Sequence, residues 1–202
     1  MSKSERAFPT YLVVEPDDGS SSRKTFLDAD GTDQEISALT IQPITKDARF
    51  SPFVFLAFWS SHEVKAYKLP NFDLVAGTPI TMPYLPRSLL LHDFGDETVG
   101  QKQYLMVGLV NGTVVAMPFD GKGGVGEKKL FGLGGSPVAL SRCYVNNKAV
   151  VFANGARSTV LYPSRDGISH SPVLVKVFCL MTRSKPSLSY LCAFRMYCRP
   201  RH

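Results

Sequence analysis

The chain has 202 residues, 44% of them hydrophobic, which is enough for one medium domain or for part of something larger. Its net charge of +6 invites a nucleic-acid partner, but all 17 acidic residues lie at or before Asp166, while Lys176, Arg183, Lys185, Arg195, Arg199 and Arg201 follow it. Positions 1–175 therefore hold 17 of the 23 basic residues against the 17 acids, with no basic stripe interleaved with aromatics, which argues against a nucleic-acid groove in this body.

The amino-terminal run Met1 to Pro9 has no apolar stretch behind its charges, and no segment approaches the ~20 apolar residues that cross a bilayer. A soluble intracellular protein without a membrane partner is the expectation. Of the four cysteines, Cys143 stands alone in the body and Cys179, Cys192 and Cys198 crowd the end, with no C-x-x-C pair. Neither a metal site nor a disulfide framework is expected.

Residues 1–34 read as an opening strand, near Tyr11 to Glu15, followed by a polar, turn-rich surface loop over residues 16–34. From Glu35 the pattern changes to short β-branched and aromatic runs separated by Gly, Pro, Asn and Asp, the signature of an all-β fold. A first unit, residues 35–80, contains Ala38 to Pro43, Phe53 to Trp59, Glu63 to Leu69 and a stretch near Leu74 to Ala76. A second, residues 86–133, contains Arg87 to Leu91, Tyr104 to Val110, Thr113 to Met117 and Lys128 to Phe131. A third, residues 137–175, contains Pro137 to Leu140, Ala149 to Ala153, Ser158 to Tyr162 and Ile168 to Val173.

Asn111-Gly112 and Asn154-Gly155 each follow a second strand, and both residue types tolerate the positive φ of a type I′ hairpin turn. The repeat of about fifty residues with four strands per unit predicts about three four-stranded antiparallel blades of an incomplete β-propeller. The second strands are apolar on both faces, while Lys65, Lys68 and Lys128 mark an outer side. Three blades cannot close a ring, so both flanking blades should leave an apolar face open. Residues 176–202, basic and cysteine-containing, read as a tail outside the repeat.

Several motifs invite chemistry and are better explained by structure. Gly121-Lys-Gly-Gly-Val-Gly-Glu-Lys-Lys129 resembles a phosphate loop, but Glu127 stands where a lysine is needed and Lys129 where a magnesium-binding hydroxyl is needed. A hairpin loop between outer strands is the expectation. His62, His92, His170 and His202 are isolated, and Cys143, beside Ser141 and Arg142, has no visible base and reads as a small core residue. Asp93, Asp96 and Glu97 read as a solvated loop, and the sequon Asn111-Gly-Thr113 as a turn. Catalytic residues, metal ligands and cofactors are all expected to be absent, and the protein is expected not to be an enzyme.

Trp59, the single tryptophan, closes an apolar strand just before the turn Ser60-Ser-His62, where a propeller strand emerges at a rim. Tryptophan is enriched among interface hot spots, so Trp59 is the candidate partner-binding residue; plugging the space between blades is the competing role.

The runs Glu35 to Pro43, Val64 to Leu74, Leu85-Pro-Arg-Ser-Leu-Leu90, Gly132-Leu-Gly-Gly-Ser-Pro-Val-Ala-Leu140, Thr159 to Ser164 and Ser171 to Lys176 together resemble the large subunit of the damaged-DNA-binding protein, within its second β-propeller. The resemblance implies a non-enzymatic protein-interaction scaffold, a fragment of a cullin-RING ubiquitin ligase adaptor linked to DNA repair. Implied partners are a cullin-type scaffold protein and substrate receptors, with nucleic acid reached only through those partners. The matching family position makes Trp59 part of the cullin-facing side. The implied location is the nucleus, with the cytoplasm second. Splicing-factor and cleavage-and-polyadenylation relatives share the architecture, so a scaffold of an RNA-processing complex is the alternative.

Overall fold

A computed structural model of the chain describes residues 11–14, 21–26, 34–42, 51–94, 103–122, 124–146, 148–164, 167–181 and 190–198. Every regular element among them is a strand. A hairpin of β1 (Tyr11–Val14) and β2 (Ser22–Thr25) comes first. Blade 1 follows with β3 (Ile36–Ile41), β4 (Phe53–Phe58), β5 (Glu63–Lys68), β6 (Asp73–Leu74) and β7 (Ile80–Thr81). Blade 2 is β8 (Pro86–Asp93), β9 (Gln103–Leu109), β10 (Thr113–Pro118) and β11 (Lys129–Gly132). Blade 3 is β12 (Ala139–Val145), β13 (Lys148–Asn154), β14 (Thr159–Ser164) and β15 (Gly167–Met181), with β16 (Tyr190–Cys198) at its edge.

All pairing is antiparallel and follows chain order within each blade, save that β7 pairs with β5 beside β6, and β8 lies against β3 on one side and β12 on the other. The first strands are thus the inner strands of adjacent blades, the arrangement of an unclosed propeller.

The period-2 alternation of the strands assigns their side chains to the joints between blades. Phe53, Phe55 and Ala57 of β4 meet Leu105, Val107 and Leu109 of β9 and Val115 and Met117 of β10 in the joint between blades 1 and 2. The opposite faces of β9 and β10, carrying Tyr104, Met106, Val114 and Ala116, meet Val151, Ala153 and Leu161 of blade 3. This is why β4, β9 and β10 read as continuous apolar runs: both faces are buried, as the sequence pattern predicted for the second strands β4 and β9, whereas the second strand β13 has a partly exposed outward face.

The two outward faces differ. On blade 1, Phe26 and Leu12 from the hairpin segment pack on Val54, Leu56, Phe58, Tyr67 and Phe72, so the expected open face is largely covered. Ser22–Thr25, inside the stretch expected to be loop, form β2 and deliver Phe26, which is 4% exposed. On blade 3, among the described residues, Val150, Val160 and Val173 pack with Cys143, Val145, Phe152 and Tyr162 of the same sheet.

Other expectations change in detail. At Asn111-Gly112 only the glycine has positive φ (87°), and its N–H donates to the Leu109 carbonyl at 3.3 Å. That is a three-residue connection with the glycine in the bulge position rather than a type I′ turn. Neither Asn154 nor Gly155 takes positive φ, because that connection is the longer Gly155 to Ser158 segment. Lys65 is half-buried: its Nζ lies 4.9 Å from the Phe58 ring centroid and 3.2 Å from the Glu63 carboxylate, so its stem shields the covered face of blade 1. Cys143 is half-buried on the outward face of blade 3 and does not reach the core between blades. Beyond Lys176 the backbone stays extended, β15 running to Met181 and pairing with β16 from Val173↔Cys198 to Met181↔Tyr190.

Candidate partner-binding rim

Each second strand ends, and each first strand begins, at the same rim of the array: Phe58 pairs with Ile36, Leu109 with Pro86 and Asn154 with Ala139. Three turns and two linkers therefore crowd that rim. The turns are Trp59 to His62, Val110 to Gly112 and Gly155 to Ser158. The linkers are Met82 to Leu85 and Leu133 to Val138.

Main-chain hydrogen bonds join these segments into a belt. The Trp59 N–H donates to the Glu35 carbonyl at 2.8 Å, Met82 N–H to His62 at 2.9 Å and Val110 N–H to Leu85 at 3.0 Å. The next linker is fastened too: Val138 N–H donates to Leu109 at 3.2 Å, Leu133 N–H to Gly112 at 2.8 Å and Arg157 N–H to Leu133 at 3.1 Å. Ser88 Oγ adds a bond to the Val138 carbonyl at 2.8 Å. Two glycines allow this close approach. A Cβ at Gly112 would fall on the Gly134 carbonyl oxygen, and one at Gly108 on Ser88 Oγ and the Val138 carbonyl oxygen.

Trp59 projects from this belt. It follows the wholly buried strand β4, yet its side chain is 47% exposed. His62 closes its turn at φ 53°, a left-handed conformation in which His is enriched. Two further large apolar side chains share the rim and were not singled out by the sequence: Tyr84, 50% exposed on the first linker, and Val110, 37% exposed in the second turn. Each is unremarkable alone; only the topology makes them neighbours of the Trp59 turn. The second linker, by contrast, exposes Gly134, Gly135, Ser136 and Pro137, with little side-chain relief.

The residues weighed for chemistry do not converge. In the glycine loop the Asp120 carboxylate accepts from the amides of Lys122 at 2.7 Å and Gly124 at 2.8 Å, so the main-chain donors a phosphate would need are held by the loop's own acid. The loop is closed as a hairpin by Gly126 N–H to the Pro118 carbonyl at 2.8 Å and joins β10 to β11. His92 is 3% exposed on β8, edge-on to Phe94 at 4.5 Å, and its pKa is lowered to about 4, first by burial and then by the charge of Arg142. His62 lies on the rim, and His170 packs against Phe131 at 5.4 Å. Cys143 and Arg142 share β12, where Arg142 Nη2 donates to the Leu91 carbonyl at 2.8 Å. Asp93 ends β8, while Asp96, Glu97 and His202 lie outside the described residues. Among the described residues no three His, Cys, Asp or Glu side chains are grouped to hold a metal, and no helix is long and apolar enough to cross a membrane.

Residues 10–195 match the family model described as the RSE1/DDB1/CPSF1 second beta-propeller. The chain is similar to DNA damage-binding protein 1 of Solanum lycopersicum, 27% identical over 169 residues that cover 83% of this chain and 14% of the relative. It is also similar to DNA damage-binding protein 1a of Arabidopsis thaliana, 27% identical over 161 residues, covering 79% of this chain and 13% of the relative. DNA damage-binding protein 1 of Caenorhabditis elegans is 29% identical over 126 residues, covering 62% and 11%. The chain thus spans about one seventh of the length of such relatives. Its three inner-to-outer blades and the long reach of the match agree: the chain belongs to the RSE1/DDB1/CPSF1 second beta-propeller family.

Proposed function

We propose that this chain is a non-enzymatic protein-interaction scaffold, part of a cullin-RING ubiquitin ligase adaptor linked to DNA repair, and that it docks a cullin-type scaffold protein through the rim that carries Trp59. The observation behind this reading is the exposed tryptophan at the end of a buried strand, held by a main-chain belt in which the residues on either side are fixed. An aromatic side chain so presented loses little conformational freedom on binding and offers a large apolar area, the usual character of an interface hot spot. The names carried by the relatives favour the damaged-DNA reading over the RNA-processing alternative. Nucleic acid is reached through partners, in keeping with the charge balance of the body, and the working location is the nucleus, with the cytoplasm second.

The test is capture of a cullin-type scaffold protein by the full chain and by Trp59→Ala. Loss of Trp59 should weaken capture by about tenfold or more, the scale of a hot-spot truncation. Unchanged capture would remove Trp59 from the interface.

A further inference from the structure

We infer that the docking surface extends beyond Trp59 along the belt to Tyr84 and Val110, and that it receives an amphipathic protein segment whose apolar side chains lie over blades 1 and 2 and whose carboxylates lie over blades 2 and 3. This rests on the reading of the rim as a protein-docking surface and deepens it by stating the chemistry of the partner.

Continuity is the first argument. The linker bearing Tyr84 is tied on one side to the Trp59 turn, through Met82 and His62, and on the other to the Val110 turn, through Leu85. The three exposed apolar side chains are therefore mounted on one hydrogen-bonded track. The track between blades 2 and 3 shares one of these bonds, Leu133 N–H to Gly112 standing for Met82 N–H to His62, but it carries Gly134, Gly135 and Ser136. The rim therefore has an apolar half and, beside it, a low half where a partner's main chain can approach closely.

Charge is the second argument. The exposed guanidinium side chains of the rim, Arg87 at the start of β8 and Arg157 in the third turn, belong to blades 2 and 3, whereas the exposed acid Glu35 precedes β3 of blade 1. A segment laid along the rim gains by bringing carboxylates to the blade 2–3 end and by keeping them away from Glu35, which fixes its direction as well as its composition.

The experiment measures binding of the same cullin-type scaffold protein to Trp59→Ala, Tyr84→Ala, Val110→Ser and the pair Arg87→Glu with Arg157→Glu, each checked by thermal melting for retention of the fold. Tyr84→Ala should weaken binding by about tenfold and Val110→Ser by a few-fold, as apolar contacts beside a hot spot do. The double charge reversal should slow association, more so at low salt, because rim charges act mainly on the encounter. Tyr84→Ala and the charge reversal both within twofold of the parent, with Trp59→Ala still defective, would overturn the extended surface and leave the cullin reading standing. If Trp59→Ala is also without effect, both fall.

Discussion

His92 is enclosed by Phe94, by the neighbouring strand residue Tyr104 and by blade 3, close to the charges of Arg142 and Asp93. Neither of its ring nitrogens has a hydrogen-bond partner among the described residues. Burial and Arg142 hold its pKa at about 4 in the folded chain, against 6.5 when unfolded. Between those two values only the unfolded chain takes up the proton, so the contribution of His92 to stability is constant above about pH 6.5 and is lost as pH drops toward 4, by roughly 3 kcal/mol in all. Urea titrations of His92→Leu and the parent across that window should show the slope lost in the variant; equal slopes would assign the acid sensitivity to other groups. At this scale the sequence is uneven as a guide. Trp59 could be read directly, since an aromatic that ends an apolar strand before Ser-Ser-His is conspicuous. Tyr84 and Val110 could not, because what makes them a surface is a set of main-chain bonds between segments far apart in the chain, as between Met82 and His62 or Val110 and Leu85.

The blades were legible as elements because four apolar runs recur at a period that local turn residues punctuate, and each run needs a neighbouring sheet on its apolar faces. Of the hairpin, the opening strand near Tyr11 was legible as β1, but β2 was not. Ser22-Arg-Lys-Thr25 has no alternation of apolar and polar residues, and its strand exists because Phe26 is anchored among aromatics: 5.1 Å from Tyr67, 5.6 Å from Phe58 and 6.5 Å from Phe72 between ring centroids. Tertiary burial has overridden a sequence that by itself reads as loop. Phe26→Ala should therefore cost about 3 kcal/mol, typical of a large aromatic removed from a core, and should speed amide exchange in β4 and β5 before that in β13 and β14. A loss below about 1 kcal/mol, or uniform exchange changes, would mean that the hairpin does not act as the cover of blade 1. The outer strand of blade 2 makes a complementary contribution. Lys128 Nζ donates to the Thr81 carbonyl of blade 1 at 2.7 Å and Lys129 Nζ to the Ile168 carbonyl of blade 3 at 2.8 Å, so consecutive residues reach in opposite directions. The sequence showed Lys128 as an outward charge, and it is exposed; the carbonyl partners of Lys128 and Lys129 are 47 and 39 residues away.

Across the whole molecule the array has two unlike ends. Blade 1 is covered by the hairpin, whereas blade 3 presents a groove of about 490 Å³ lined by Val145, Val150, Val160 and Tyr162. Apolar surface of this kind, next to a sheet, favours association. The chain should form oligomers or precipitate at roughly 100 μM, and Tyr162→Lys should shift sedimentation toward monomer. A parent that stays monomeric through that range would sink the expectation. The rim has a different consequence. Because one blade is fastened to the next there by peptide groups, side chains projecting from the belt are under little obligation to the fold. They can be exchanged over evolutionary time while the joint persists, so a chain only 27% identical to its relatives can keep their architecture and yet address a partner in its own dialect.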